Sequence, residues 1–302
     1  MSFSAEDVKK LREKTGCGMM DCKKALMHSN GDESKAIDFL REKGLATAAK
    51  KAGRIASEGI AFAMSKPDGG VLIEVNSETD FVAKNNEFKN FVKLCAECVL
   101  KNKPSDLESL LKVVPDGLTD NLQSILNEKI LKIGENIKIR RFKFLEGVTS
   151  SYIHADGKIA VLVRFDTDSS VFGNEVFQNM SKDIAMQIAA INPMYLSKND
   201  VPADVLEHEK RILLEQAKAQ GKPEKIAQRM VEGRIGKYFK ENCLLDQEFV
   251  KDNSMTVSQY VDKISSAVGQ KINISGFVRY ERGEGLEKKD ENFAQEVSKI
   301  LN

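Results

Sequence analysis

"EGIAFAMSKPDGGVLIEVNSETDFVAKNNEFKN" (58–90) and "EGVTSSYIHADGKIAVLVRFDTDSSVFGNEVFQ" (146–178) lie on each other without a gap when the chain is slid by 88 residues. Glu58-Gly59 meets Glu146-Gly147, Asp68-Gly69 meets Asp156-Gly157, and Thr79-Asp80 meets Thr167-Asp168. Val75 meets Val163, and Asn86-Glu87 meets Asn174-Glu175, making nine identities. Ile60 with Val148, Val71 with Ile159 and Ile73 with Val161 add apolar matches. Turn residues and core residues coincide together, which is what a duplication leaves behind. Each copy reads strand, glycine turn, strand, Thr-Asp turn, then an amphipathic helix. "KPDGG" (66–70) and "HADGK" (154–158) predict hairpins in which Asp-Gly takes the positive φ angles. Helices and antiparallel strands in one unit predict an α+β core.

Outward from the repeat, "NIKIRRFKFLEGV" (136–148) alternates but changes phase at Arg140-Arg141, from Ile137/Ile139 to Phe142/Phe144. A bulge or bend handing the strand from one sheet to the next accounts for that. "INISGFVRYE" (272–281) is a further strand that can pair back into the second copy. Ahead of the repeat, three short helices are predicted. Ser4 with Asp7 forms a capping box on the first, Met20–His28 is the second, and Asp32 caps a third that stops at Gly44. So thin a bundle is expected to lean on partners. "ATAAKKAGR" (46–54) follows as a basic linker or helix.

Between Pro202 and Lys240 two charged helices flank Gly221-Lys222-Pro223, with Gly ending one and Pro opening the next. Val205, Ile212 and Ala219 recur every seven residues, as do Leu206 and Leu213, with Ile226 and Met230 on the return arm. The pattern predicts an antiparallel hairpin roughly 27 Å long inserted into the second copy. Its narrow apolar seam suits self-packing or a dimer surface. "DENFAQEVSKIL" (290–301) reads as a short C-terminal helix.

Forty-six Lys and Arg balance 45 Asp and Glu in 302 residues, so no global field draws the chain to nucleic acid or an acidic membrane. The basic "KKAGR" is one short patch, weak support for RNA binding. "MSFSAEDVKKL" lacks a signal-peptide core, and no apolar run approaches the ~20 residues of a span. Five cysteines in so long a chain argue against a disulfide framework, and a cytoplasmic location is expected. GxxxxGK[ST], HExxH and GxSxG are all missing, so no nucleotide site, metal or cofactor is expected and no catalytic chemistry. Cys95-Ala-Glu-Cys98 is a CxxC inside a helical stretch; buried small side chains explain it more simply than a zinc site completed by Cys17 and Cys22. Paired acids such as Glu78/Asp80 and Asp166/Asp168 fit solvated or capping roles better than acid–base catalysis.

"SETDFVAKN" (77–85) poses the functional question. Thr79-Asp80 recurs in the second copy, so that pair has a structural job in both, such as an Asp accepting backbone N–H groups at a helix start. Phe81 meets Ser169, so the turn does not demand a phenyl ring. Either the ring packs under its own helix near Phe88 and Phe91, or it projects as an anchor for another molecule.

"LREKTGCGMMDCKKAL" (11–26), "AAKKAGRIASEG" (48–59), "EVNSETDFVAKN" (74–85), "KIGENIKIRR" (132–141), "AMQIAAINPMYL" (185–196) and "GKPEKIAQRMVEGRI" (221–235) together resemble the bacterial elongation factor Ts family, in order and over essentially the whole chain. The resemblance implies a guanine-nucleotide exchange factor for the translation GTPase elongation factor Tu, not an enzyme. It implies a ubiquitin-associated-like helical domain at 1–53 and core halves at 54–140 and at 141–196 with 241–282. It also implies a coiled-coil hairpin at 197–240 and a C-terminal module at 283–302. Thr79, Asp80, Phe81 and Val82 match the segment implicated in displacing the partner's magnesium, with Phe81 as the wedge and Asp80 hydrogen-bonding beside it. Arg12, Met19 and Met20 match N-terminal contacts to the GTPase domain, and His154 a core residue facing another domain of the partner. Cys17 stands where a small residue such as Ala is common, and the hairpin diverges, which leaves a homodimer or a 2:2 complex open. The alternative is an RNA-binding, ribosome-associated factor.

Overall fold

A computed structural model describes residues 3–221 and 223–288. The fold is α+β, with two small antiparallel sheets laid face to face and helices on their outer sides. The predicted helix at 290–301, and with it most of the expected C-terminal module, lies outside the described residues.

The chain opens with α1 (Ala5–Thr15), α2 (Met19–His28) and α3 (Glu33–Lys51). Ser4 and Asp7 close the capping box on α1, and the Asp32 carboxylate accepts from Lys35 N at the start of α3. Val8, Leu11, Cys22, Leu26 and Leu40 make a small core. Gly44 does not end α3. The helix runs seven residues further, and Gly44 is buried where the helix meets α7 (Leu122–Ile133). A Cβ placed there would lie 3.4 Å from Asn127 O. The glycine marks a close helix approach, a use that looks the same in sequence as a helix stop. The bundle therefore leans on α7 of its own chain, through Gly44, Leu131 and the Arg41–Asp120 ion pair at 2.7 Å.

The first repeat copy forms β1 (Glu58–Lys66), β2 (Gly69–Ser77), α4 (Asp80–Lys84) and α5 (Asn86–Asn102). After α6 (Leu107–Leu111) and α7 comes β3 (Lys138–Glu146), which completes a sheet of order β1-β2-β3. The second copy forms β4 (Val148–His154), β5 (Ile159–Asp166), a 3-10 turn at Ser169–Gly173 and α8 (Glu175–Ile191). Its sheet is completed far downstream by β8 (Asn273–Glu281), giving order β4-β5-β8. Elements of the two copies correspond, as the 88-residue offset predicts.

β2 is buried along its whole length, which explains the unbroken apolar run there. Val71, Ile73 and Val75 face α5 and α7, while Leu72 joins Ala61, Ala63, Ala160 and Leu162 between the two sheets. Val161, Val163 and Phe165 pack likewise on α8 and on α11 (Val257–Val268). Small residues on the inner faces let the sheets approach.

The hairpins differ from each other, and Asp-Gly takes both positive φ angles, as expected, in the second alone. Lys66 pairs with Gly69, so the first loop is Pro67-Asp68, and proline's fixed negative φ rules out the turn with two positive angles. In the second, His154 pairs with Ile159, and Ala155, Asp156 and Gly157 all take positive φ. The predicted bulge is present, with Glu74 opposite Arg141 and Val75 opposite Ile139, leaving Arg140 as the extra residue. The handover between sheets is a separate event at Gly147, where β3 ends and β4 begins.

From the second half projects a hairpin of α9 (Ala203–Ala219) and α10 (Glu224–Asn242). Its roots meet at a bridge between Tyr195 and Cys243, with Leu244 N donating to Tyr195 O at 2.9 Å. The buried seam uses Ala217, Ala227 and Ile235, whereas Ile212 and Ile226 are exposed. The 205/212/219 row is not the seam, because small alanines fit the closest helix approach. A short β6 (Glu248–Phe249) and β7 (Asp252–Thr256) lead into α11.

Candidate functional site

Helix α4 is a single short turn of helix following the last buried residue of β2, and it carries the Thr-Asp-Phe-Val segment on its first turn. Thr79 is the residue that caps it, its hydroxyl accepting from Val82 N at 3.4 Å. In the second half the cap is Asp168, whose carboxylate accepts from Ser170 N at 2.9 Å. The shared Thr-Asp pair thus does different work in each copy, because the two helical turns start one residue apart. Asp80 was expected to hold backbone N–H groups; its side chain instead receives Lys84 Nζ at 2.6 Å. That hydrogen bond from Lys84 holds the Asp80 carboxyl below its ordinary range.

Phe81 is 80% exposed. Phe88 and Phe91, near which it could have packed, are buried in the core without it. Val82 is half-buried and Ala83 is buried, so α4 is pinned by its inner face while the ring stands in solvent.

The turn ahead of α4 is tied to the segment after α7. Glu135 Oε2 accepts from Glu78 N at 3.1 Å and Thr79 N at 3.0 Å, and Glu135 Oε1 accepts from the Thr79 hydroxyl at 2.6 Å. Glu78 returns the contact by accepting from Asn136 N at 2.6 Å. The Asn136 amide donates to Arg54 O at 2.8 Å, so the segment between α3 and β1 is held at the same point. Sequence reasoning missed Glu135, although it lies in one of the quoted motifs. Its partners are 56 and 57 residues away, beyond any local pattern.

Arg12, Gly18, Phe81, Val82, Asn85 and Lys132 border one open recess between the N-terminal bundle and α4. Met19 and Met20, at the start of α2 beside that recess's Gly18, are 43% and 62% exposed. The structure therefore brings Arg12 together with Phe81 and Val82. It does not bring in His154, which is exposed at the end of β4 with its Nδ1 3.1 Å from the Tyr152 hydroxyl. The loop after His154 reaches the first half through Asp156, which pairs with Lys89 of α5 at 2.9 Å.

Among the described residues, no group of three or more His, Cys, Asp and Glu side chains is placed to hold a metal ion. Cys95 and Cys98 point into the first half's core, and Cys17 and Cys22 into the N-terminal bundle. Burial pushes these thiols up, Cys98 to about 11 and Cys95 well above its ordinary value. No described helix is long and apolar enough to cross a membrane. An exposed aromatic ring on a short, firmly held helix, flanked by exposed methionines and an arginine, is equipped to dock on another macromolecule.

A family model described as Elongation factor TS matches residues 78–284. A protein from Clostridium kluyveri named elongation factor Ts is 48% identical over 306 residues, covering 99% of each chain. One of that name from Clostridium acetobutylicum is 50% identical over 304 residues, covering 99% of this chain and 98% of its own. Another from Clostridium perfringens is 50% identical over 303 residues, covering 99% of each.

Proposed function

The chain belongs to the elongation factor Ts family, a family of translation elongation factors, and from that footing we propose that it is the guanine-nucleotide exchange factor of elongation factor Tu. It binds the GDP form of that GTPase, promotes GDP release and leaves so that GTP can bind. It catalyses no covalent chemistry, needs no nucleotide site of its own, and works in the cytoplasm where translation runs. Thr79, Asp80, Phe81 and Val82 act on the partner's magnesium site. Arg12, Met19, Met20 and His154 supply further contacts.

The observation that carries this reading is the 80% exposure of Phe81 at a position where the duplicated half has Ser169. A ring the fold does not need and does not bury has its use outside the chain. Exchange follows by linkage. A factor that binds the nucleotide-free GTPase more tightly than its GDP form weakens GDP binding by the same ratio. Each tenfold takes about 1.4 kcal/mol of differential contact. Burying one phenyl ring supplies roughly 1.5–3 kcal/mol, or one to two decades. Larger accelerations need the neighbouring contacts and the loss of magnesium charge at the diphosphate.

The test is release of fluorescent GDP from elongation factor Tu in a stopped-flow instrument, with this protein added over a range of concentrations. A rate that climbs and saturates supports the reading. A rate identical to spontaneous release overturns it and leaves an RNA-binding, ribosome-associated role to be tested by salt-dependent binding.

A further inference from the structure

We propose that Glu135 is a positioning residue for Phe81, holding the ring at the angle and height at which it acts on the partner. The inference rests on the exchange reading above and adds to it a residue that acts through the turn ahead of α4.

Glu135 accepts three hydrogen bonds from two consecutive residues, Glu78 and Thr79, immediately before α4. Helix α4 has five residues, and its inner face, Ala83 and the half-buried Val82, holds it to the core without setting the direction in which the chain enters it. A carboxylate gripping both main-chain N–H groups and the capping hydroxyl fixes the direction in which the helix leaves β2. Glu78 bonds back to Asn136 N, which makes the grip reciprocal and resistant to rotation.

The duplicated half serves as an internal control. Asp166, Thr167 and Asp168 correspond to Glu78, Thr79 and Asp80. There Asp168 caps Ser170, and Gln270, which follows Gly269 at the end of α11 as Glu135 follows Gly134 at the end of α7, donates to the Ser170 hydroxyl at 3.0 Å. The Thr167 hydroxyl has no hydrogen-bond partner, where Thr79 has Glu135. A strand, turn and helix of this kind therefore fold without a carboxylate clamp gripping the main-chain N–H groups ahead of the turn. The three-bond carboxylate grip is in the copy whose turn carries the exposed phenyl ring, and the copy whose turn carries serine has a single amide contact from Gln270.

The experiment compares the maximal stimulated GDP release rate and the half-saturating concentration for the full-length wild type, Glu135→Ala, Glu135→Gln, Phe81→Ala and the double variant Phe81→Ala/Glu135→Ala. Glu135→Ala is expected to lower the maximal rate about tenfold while changing the half-saturating concentration by less than about threefold, the size of one lost charged hydrogen-bond set. Glu135→Gln, whose carbonyl can still accept the two main-chain N–H groups, recovers most of the rate. In the Phe81→Ala background, Glu135→Ala has no further effect, because the clamp acts through the ring. Amide hydrogen exchange at Glu78 and Thr79 quickens in Glu135→Ala alone. Should that variant not fold, Thr79→Val, which removes the hydroxyl donor, takes its place with a smaller expected loss. A wild-type maximal rate in Glu135→Ala, or losses that multiply in the double variant, overturns the positioning role. If Phe81→Ala itself exchanges at the wild-type rate, the exchange reading of the ring fails instead.

Discussion

Glu74 Oε2 accepts from Arg141 Nε at 2.7 Å between the two sheets, where the Glu74 side chain has no solvent exposure. The same carboxylate receives Gly283 N at 2.8 Å, Arg140 Nη1 at 3.0 Å and Asn76 Nδ2 at 3.1 Å. Arg141 also lies over the Tyr280 ring at 4.0 Å. One buried carboxylate therefore joins β2, the bulge of β3 and the turn after β8, tying the first half to the end of the second. Leu162 holds the corresponding place in the other copy, so the tie exists once.

Glu74→Ala leaves Arg140 facing a buried site without its carboxylate, and Arg141 with the exposed Glu284 alone. Loss of one partner from such a set costs about 3–5 kcal/mol. Urea unfolding monitored by circular dichroism is expected to register a drop of that size, and a change under 1 kcal/mol would remove Glu74 from the list of fold determinants.

The same group gives the protein an acid sensitivity. Burial alone would raise the Glu74 carboxyl; the hydrogen bonds from Gly283, Asn76 and Arg141 outweigh it and hold the group below its ordinary 4.5. A carboxyl lowered by folding contributes stability that is fully present above the unfolded value and is lost as pH falls through the folded one. The melting temperature is therefore expected to fall as pH drops below about 4.5, and to fall less steeply in Glu74→Gln. Parallel melting curves for the two chains from pH 6 to pH 3 would contradict this.

Phe81→Ala removes a side chain that contributes little to the fold. Its unfolding free energy should stay within about 0.5 kcal/mol of wild type. Stimulated GDP release should fall by more than about tenfold, the lower end of what a buried phenyl ring supplies. Stability and exchange are thus expected to separate, and a variant that loses both together would mean the ring packs on its own chain.

Gly44 tests the approach of α3 to α7. Alanine is expected to fit at 3.4 Å from Asn127 O and to change stability by no more than about 1 kcal/mol, since helix propensity favours it. Leucine has nowhere to go and should cost about 1–3 kcal/mol by overpacking. Thermal melts of the two variants decide it, and an equally benign leucine would mean the contact is loose.

All five cysteines are free and buried, and burial raises Cys95 and Cys98 as well as Cys243, the last to about 11. A thiol held protonated and out of solvent reacts slowly. Ellman's reagent at pH 7.5 is expected to titrate all five only after denaturant is added. Rapid reaction of one thiol in the native protein would identify a locally opening segment.

Much of the core was legible because the duplication repeats both turns and apolar residues, and because the phase change at Arg140 has one common cause in an antiparallel sheet. The ring's exposure was half legible. Ser169 freed the fold from needing Phe81, but burial depends on neighbours that no local pattern names. Helices α7 and α11 were missed although Asn121 and Thr256 cap them and Gly134 and Gly269 end them. Their apolar residues recur at helical spacing, Leu122, Ile125, Leu126 and Ile130 in one and Val257, Val261 and Ile264 in the other, so that signal was legible. The elements they pack on are distant in sequence and were not. Glu135 and Glu74 were out of reach for the same reason, since a carboxylate's partners are set by the sheet and not by its sequence neighbours.

The meeting of Tyr195 with Cys243 has a consequence for how such chains diversify. An arm whose two feet stand side by side leaves the body undisturbed when its span changes, since the rest of the molecule sees only the closed base. Descendants of one ancestor can extend that arm, shorten it or trade it for a tight turn. Each lineage is then at liberty to choose its own assemblies while keeping the surface around α4 as it is.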